Sequence, residues 1–267
     1  MTYSKFKYNY DELAIFSPRD LLRQYPLKEN GVPINEDTLP SRYIISYQNS
    51  SLHYFKERYF KRRLADYIRK IEGSFKFKIY QMGDIGFTNI SGRGAPEAGS
   101  YLEELITLGG KEFITIGTAA GMYTKGLFLC NQAIRDDGLS DKYLPPEDFA
   151  YPDEDLTKRL SNSMQEKRLR FKTAPTWTTS GFYTEKSTQV KTCVKEGVAT
   201  IDMEAAGLFA IAQVRNVKIA SAFVVSDIID DDGWTPQFHT DEVRLGIKGL
   251  VDASIHCLRM SQNPSGF

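Results

Sequence analysis

The sequence is poor in cysteine, histidine and net charge, and each shortage excludes a class of protein. Its 267 residues include three cysteines, which lie far apart without a CxxC pair, so neither a disulfide framework nor a zinc site is predicted. The three histidines show no metal-ligand spacing, and we expect no metal and no organic cofactor. Basic and acidic residues both total 34, so no global basic field attracts nucleic acid or an anionic membrane.

Long hydrophobic runs are missing as well. Runs such as AFVV at 222–225 are far too short to cross a bilayer, and the N-terminal MTYSKFKYNYDEL lacks the apolar centre of a signal peptide. We therefore expect a cytoplasmic protein whose partners are small molecules or further copies of itself, and neither nucleic acid nor a membrane.

Strand-like and helix-like segments alternate along most of the chain. Residues 1–50 mix Pro, Gly, Asn and charges without periodicity and are predicted to form an irregular N-terminal extension. Residues 51–267 are predicted to form one α/β domain, which begins with an amphipathic helix over 51–71. The predicted fold is a single-domain, three-layer α/β/α architecture with a twisted, largely parallel but mixed central sheet.

Three of the predicted strands end in residues that suit a binding cleft. These ends are Gly117-Thr118 after EFITI, Asp202-Met203-Glu204 after VATI, and Ser226-Asp227 after AFVV. Ligands of open α/β sheets gather at the carboxyl ends of strands, so the three ends are predicted to converge. Each also has a structural explanation: a tight turn at GTAAG, a helix N-terminus at Glu204, and the start of a solvated loop at Asp227.

Taken together, the stretches ITIGTAAGM, AIRDDGLS, WTTSGFYTE, VATIDMEAAGLFAIAQ and VVSD resemble the nucleoside phosphorylase-I superfamily. That superfamily includes purine nucleoside phosphorylases, uridine phosphorylases and related nucleosidases. The resemblance runs from about Ile79 to Leu258 and is most specific in DMEAAGLFA. It implies cleavage of the N-glycosidic bond of a nucleoside, with inorganic phosphate as co-substrate, by a homo-oligomer that is either a dimer or a hexamer.

The resemblance assigns roles to the acids. Glu204 would hydrogen-bond the ribose hydroxyls, with Met203 packing against the sugar, and Asp227, beside Ser226, would donate a proton towards N7 of a departing purine. Bond cleavage makes the ribosyl ring positive and the base negative, so a site needs both groups. Burial or the neighbouring acids of 230–232 would raise the pKa of Asp227, although those three acids suit a solvated loop equally well.

The resemblance also implies what surrounds the base. Phe182 would stack on it, although an ordinary core aromatic explains Phe182 equally well, and Gly117 and Thr118 would line the phosphate or ribose side. Uridine-cleaving relatives carry a Gln and an Arg after the F-Y pair, whereas this chain has TEK at 184–186, so a purine is favoured. Asp202 receives no role and is expected to face solvent.

The predicted phosphate site departs from the family pattern. Phosphorylases usually carry an arginine two residues before the G-T or G-S of the phosphate strand, where this chain has Thr115. Their Gly-Asp-Pro loop with a second arginine is not found in YIISYQNSSLHYFKERYF. Arg93, in SGRGAPEAG before a predicted helix, is the candidate replacement, because free backbone N–H groups at a helix start favour an anion.

Other cations and other functions remain as alternatives. The cations are Arg135, near the cleft or else paired with Asp136 or Asp137, and Arg58, Arg62 and Arg63, which would enter a neighbouring subunit's site.

The leading hypothesis is phosphorolysis of a purine nucleoside. A hydrolytic purine nucleosidase, which tolerates loss of the phosphate arginines, and a non-catalytic nucleoside-binding protein are the alternatives.

Overall fold

The computed structural model describes residues 8–60, 68–72, 78–90 and 92–260. In these ranges the chain forms one mixed sheet of thirteen strands and eight α-helices. The helices are α1 (Pro18–Gln24), α2 (Asn49–Phe55), α3 (Ala95–Thr107), α4 (Ser140–Tyr143), α5 (Glu154–Glu166), α6 (Ser187–Lys195), α7 (Ala205–Arg215) and α8 (Asp241–Met260). The strands are β1 (Lys28–Glu29), β2 (Val32–Pro33), β3 (Arg42–Ser46), β4 (Ile68–Glu72), β5 (Lys78–Met82), β6 (Ile85–Asn89), β7 (Glu112–Met122), β8 (Leu127–Asp136), β9 (Phe149–Ala150), β10 (Phe171–Thr179), β11 (Thr200–Asp202), β12 (Lys218–Asp230) and β13 (Gly233–Pro236).

The sheet has a parallel centre and an antiparallel margin. β3 lies between β6 and β7 and runs parallel to both, and β12 runs parallel to β7 from one end of β7 to the other. β12 also pairs with β8, β8 with β10, β10 with β11, and β11 with the end of β7. Five strands, β7, β12, β8, β10 and β11, therefore close into a ring.

Hydrophobic clusters lie on both faces of the sheet. Along β3, Tyr43 and Ile45 belong to the cluster that α3 and α7 cover, whereas Ile44 belongs to the cluster that α5 and α8 cover. Successive side chains of a strand point to opposite faces, so one strand feeds both clusters. The predicted class, an α/β fold with helices on both faces of a mixed sheet, is confirmed.

Close packing of α3 against α7 sets the position of the site. Residues 205–212 of α7 are all buried, as its almost wholly apolar sequence AAGLFAIA requires. A Cβ on Gly207 would lie 2.7 Å from the Cβ of Ala95, so only glycine permits this approach. The chain segment before α3 is thereby held against the segment before α7, where Glu204 lies.

Within the segment predicted to be an irregular extension, residues 1–50, the described residues 8–50 include regular helices and strands. Residues 42–46 form β3, a fully buried strand at the centre of the sheet, and Leu22 and Leu27 pack into the core. No structural boundary separates this segment from the rest of the described chain. The run RYIIS is short and flanked by turn residues, which hid a strand buried on both faces.

The helix predicted over 51–71 is wrong at its end. α2 covers Asn49–Phe55 and continues as a π-helical turn over Lys56–Phe60, and residues 61–67, which include Arg62 and Arg63, lie outside the described ranges. Residues 68–72 form β4, which pairs antiparallel with β5. Pairing with a neighbouring strand overrides the local helical spacing there. In the described part of the chain, no helix has the length and apolarity needed to cross a bilayer.

Candidate active site

Two acid-bearing segments meet at one residue of β7. Asp227 of β12 lies opposite Ala120 on one side, and Ile201 of β11 lies opposite Ala120 on the other. Neighbouring strands are about 4.8 Å apart, so the backbones of Asp227 and Ile201 are roughly 10 Å apart. Glu204 follows Ile201 by three residues, and the structure thus brings Glu204 and Asp227 to the two sides of one segment of β7.

Glu204 stands at the start of α7 as a partly buried carboxyl. Its Oε1 accepts a hydrogen bond of 2.7 Å from the backbone N–H of Gly94, whose φ of 95° favours glycine. Burial, and next the negative charge of Asp202, raise the pKa of Glu204 to about 7, against the lowering influence of the Gly94 amide and the Arg93 cation. The carboxyl can therefore accept or release a proton close to neutral pH.

Asp202 has a structural role instead of facing solvent as expected. It is 4% exposed, and its Oδ2 accepts from the backbone N–H groups of Glu204 (2.9 Å) and Ala205 (2.7 Å). Its Oδ1 accepts from the hydroxyls of Thr178 (2.6 Å) and Thr176 (3.3 Å). Burial raises its pKa, while these donors act in the opposite direction. Asp202 thus ties β10 and β11 to the first turn of α7 and fixes Glu204.

Phe182 is not an ordinary core aromatic, because 44% of it is exposed. The guanidinium of Arg93 lies 5.1 Å from the centre of its ring, a cation–π contact between the loop after β10 and the segment before α3. Arg93 also acts electrostatically on Glu204. An accessible aromatic face, a cation and a carboxyl thus lie together, next to the half-buried Met203.

Asp227 is held by two donors. Its Oδ1 accepts from the hydroxyl of the buried Ser226 (2.7 Å), and its Oδ2 accepts from the indole N–H of Trp234 on β13 (2.9 Å). The charge of Asp227 reaches Glu185, whose pKa is raised by burial and then by Asp227. Asp231, one of the three acids that follow, pairs instead with Lys191 at 2.8 Å.

Gly117 and Thr118 lie beside the turn that follows β3. The Thr118 hydroxyl accepts from the Gln48 amide at 2.8 Å, and the ring of Tyr47 packs on Gly117, where a Cβ would lie 2.9 Å from it. Gly117 therefore makes room for Tyr47. Tyr47 and Gln48 both belong to the segment that was predicted to be irregular, so neither was predicted to be a site residue. The signal for them was the polar group YQN directly after the apolar run YIIS.

The arginines proposed as phosphate ligands differ in which acids they contact. Thr115, which stands where the resemblance implies an arginine, is buried and its hydroxyl pairs with that of Ser221 at 2.5 Å. Arg135 pairs with Asp141 at 2.8 Å, not with either of the two acids that follow it. Arg58 pairs with Asp252 at 3.1 Å. Of the arginines considered in the described ranges, Arg93 is the one in electrostatic contact with Glu204.

Sequence comparison assigns the family. The model of the phosphorylase superfamily matches residues 55–256, which is most of the chain. The chain belongs to the phosphorylase superfamily. Its membership confirms the resemblance drawn from the strand-end motifs, and the relatives are enzymes named as uridine, guanosine and purine nucleoside phosphorylases.

Individual relatives are distant. A uridine phosphorylase of Treponema pallidum is 29% identical over 150 residues, covering 51% of this chain and 58% of the relative. A DeoD-type purine nucleoside phosphorylase of Myxococcus xanthus is 28% identical over 153 residues, covering 55% of this chain and 64% of the relative. The chain thus spans less than two thirds of the length of either relative. Substrate choice is not determined at these identities, since uridine and purine enzymes match equally well.

Solved structures of the superfamily share the fold. A purine nucleoside phosphorylase from Toxoplasma gondii superposes with a TM-score of 0.71 at 15% identity, covering 86% of this chain and 95% of the other. An AMP nucleosidase from Bacteroides thetaiotaomicron superposes with a TM-score of 0.70 at 17% identity, covering 93% of this chain and 97% of the other. At such identities the likeness establishes the architecture.

Proposed function

We propose that this chain cleaves the N-glycosidic bond of purine nucleosides, and that the leading reaction is phosphorolysis to free base and ribose 1-phosphate. The observation that carries the proposal is the placement of Glu204 and Asp227 on the two sides of Ala120. The exposed ring of Phe182 under Arg93 lies on the Glu204 side. This set combines an acceptor for sugar hydroxyls, a stacking surface and an acid.

The proposed chemistry assigns each group a task. As the bond breaks, positive charge grows on the ribosyl ring and negative charge on the base. Ionised Glu204 accepts hydrogen bonds from the ribose hydroxyls, and Phe182 stacks on the base. Asp227, oriented by Ser226 and Trp234, delivers a proton to the base nitrogen that receives the bonding electrons. The absence of the Gln and Arg of uridine-cleaving relatives after Tyr183 supports a purine.

Phosphate binding is assigned to Arg93 and the start of α3. Among the described residues, no side chain caps the start of α3, so backbone N–H groups of its first turn other than that of Pro96 can face an anion, and Arg93 adds a charge beside them. Thr118 supplies a hydroxyl from β7. The phosphate oxygen then attacks the anomeric carbon as the base departs with the bonding electrons. The phosphorylases among the relatives support this choice of nucleophile.

Hydrolysis is the second candidate, and one observation favours it. Thr115 is paired with Ser221 in the core, so β7 offers no cation at the position where the family carries its phosphate arginine. A dianion without an arginine there binds weakly unless Arg93 compensates. Water needs no such charge. The products distinguish the two reactions, because hydrolysis yields free ribose.

The test is incubation with inosine, adenosine, guanosine and uridine, each with and without phosphate. Base release is followed by chromatography, and ribose 1-phosphate and free ribose are assayed separately. Phosphate-dependent release from the purine nucleosides with ribose 1-phosphate supports the leading reaction, and free ribose supports hydrolysis. Tight binding without release from any nucleoside would leave a binding protein. Preferential cleavage of uridine would refute the purine assignment.

Assembly into a homo-oligomer is also proposed. Aromatic side chains near the site are exposed: Phe182 at 44%, Tyr183 at 88%, Trp234 at 59% and Phe238 at 45%. Exposed aromatic clusters are typical of protein interfaces. Light scattering after size exclusion measures the assembly, and a monomer at micromolar concentration would contradict this proposal.

A further inference from the structure

The hydroxyl of Tyr47 is buried and has no hydrogen-bond partner of normal geometry. Its ring is fixed against Gly117, and the neighbouring Thr115 hydroxyl is engaged with Ser221. Buried hydroxyls nearly always have a partner, because leaving one unpaired destabilises the fold. In the free protein the Thr115 hydroxyl, which already pairs with Ser221, is the hydrogen-bonding side chain that acts on this group, so a stronger acceptor in another state of the site would satisfy it better.

Glu204 is the group that can become that partner. Tyr47 packs on Gly117 of β7, and β11, which leads to Glu204, pairs with the same strand three residues further on. The charges of Glu204 and Asp202 both act on the Tyr47 hydroxyl. Asp202 already accepts four hydrogen bonds, from two threonine hydroxyls and two backbone amides. For Glu204 the described hydrogen bonds come from backbone amides, that of Gly94 among them at 2.7 Å. No side-chain hydroxyl among the described residues donates to it.

We propose that Tyr47 is a positioning residue whose hydroxyl donates to the Glu204 carboxylate when that group ionises to receive the sugar hydroxyls. A protonated carboxyl attracts a donor weakly, whereas an ionised one in a poorly solvated place attracts it strongly. The charged groups that face Glu204 are Asp202 from β11 and Arg93 from the segment before α3, and Tyr47 faces it from the end of β3. The inference rests on the proposed function for the sugar and on the buried hydroxyl of Tyr47 for the contact.

The strand that precedes Tyr47 provides a matched control. Tyr43 of β3 is also buried with an unpaired hydroxyl, and its ring packs on a glycine, Gly86, of a neighbouring strand. The charge that acts on Tyr43 is that of Asp84, at the other end of β3. Tyr43→Phe and Tyr47→Phe therefore remove the same atom from similar surroundings, and only Tyr47→Phe removes it from the vicinity of Glu204.

The experiment measures the titration of Glu204 in the free protein by carboxyl-carbon NMR. The pH dependence of kcat/KM for base release is measured in parallel. In Tyr47→Phe the midpoint of Glu204 should rise by about one pH unit, the size expected for loss of a hydrogen bond to a charged group. Tyr43→Phe should titrate as the wild type does. An unchanged midpoint in a folded Tyr47→Phe would overturn the proposal.

A second measurement needs no substitution of Tyr47. The NMR signal of the Tyr47 hydroxyl-bearing carbon should move with pH near 7 in the wild type, and this movement should vanish in Glu204→Gln. A signal that stays constant across pH 6 to 8 in the wild type would also overturn the proposal. Both NMR readouts are independent of turnover. If no nucleoside is cleaved, the proposed function fails while the Tyr47–Glu204 contact is still tested.

Discussion

Replacing Glu204 by Gln should stabilise the free protein at alkaline pH while it impairs turnover. The structure places this carboxyl in a partly buried position near Asp202, with a pKa of about 7 instead of 4.5. The native state therefore holds the proton of Glu204 more tightly than the unfolded state does. Stability is lost as the pH rises between those two values, and the loss is complete above about pH 7.

The magnitude follows from that difference in pKa. At about 1.4 kcal/mol per pH unit, the step from 4.5 to about 7 corresponds to roughly 3.5 kcal/mol as an upper limit. Local relaxation and solvent reduce it, so we expect Glu204→Gln to gain about 1–2 kcal/mol at pH 8.5. At pH 5 the gain should be below about 1 kcal/mol, because Glu204 is then protonated in the native state. The Gln side chain keeps an oxygen that can accept from Gly94.

Urea denaturation of both proteins at pH 5 and pH 8.5 measures this gain. Glu196→Gln, which changes an exposed residue, is the matched control and should show no change between the two pH values. Turnover should fall by roughly tenfold to a few hundredfold, because an amide N–H₂ replaces an acceptor of the sugar hydroxyls. A stability difference between Glu204→Gln and wild type that is the same at both pH values would refute the reasoning.

Three further substitutions test the rest of the site. Asp227→Asn should lower kcat by about 10²- to 10⁴-fold in a base-release assay, as expected for loss of a general acid, and an unchanged rate would remove Asp227 from the mechanism. Arg93→Ala should raise the KM for phosphate, and a constant KM would show that phosphate binds elsewhere. Asp202→Asn should lower the free energy of unfolding, measured in urea, by about 1–3 kcal/mol. The carboxyl of Asp202 accepts hydrogen bonds from a hydroxyl and from backbone N–H groups, and in the variant an amide NH₂ donor would face one of these donors. A variant as stable as the wild type would contradict the role of Asp202 under α7.

Local sequence was sufficient to place Glu204 directly after a buried strand, because β11 ends at Asp202. The prediction of a strand end was wrong for Asp227 and for Gly117-Thr118, which lie inside β12 and β7, because both strands continue beyond their apolar runs. Local sequence was insufficient for Asp202. Asp202 and Glu204 are separated by one residue in DME, so a periodic pattern of apolar and polar residues predicts the same environment for both. Only the packing of α7 over β10 and β11 shows that Asp202 accepts from backbone amides while Glu204 stays available.

The remaining features depend on contacts between distant segments. Arg93 and Phe182 come from segments far apart in the chain, and no local pattern encodes their contact. Gln48 reaches Thr118 because β3 is a central strand, whereas the sequence was interpreted as irregular up to residue 50. The strand was missed because it is short and buried on both faces, and its contribution to the site was missed with it.

The ring formed by β7, β12, β8, β10 and β11 has a consequence for how this enzyme family can change over time. An open sheet has two edge strands, each with a single neighbour, where a gained or lost residue disturbs one pairing, whereas every strand of a ring has a neighbour on both sides. Here a single-residue deletion in β7 would shift its alignment with β11 and with β12 together, and would turn every later side chain of β7 to the opposite face. Insertions are therefore tolerated in the connecting loops, while strand lengths stay constrained.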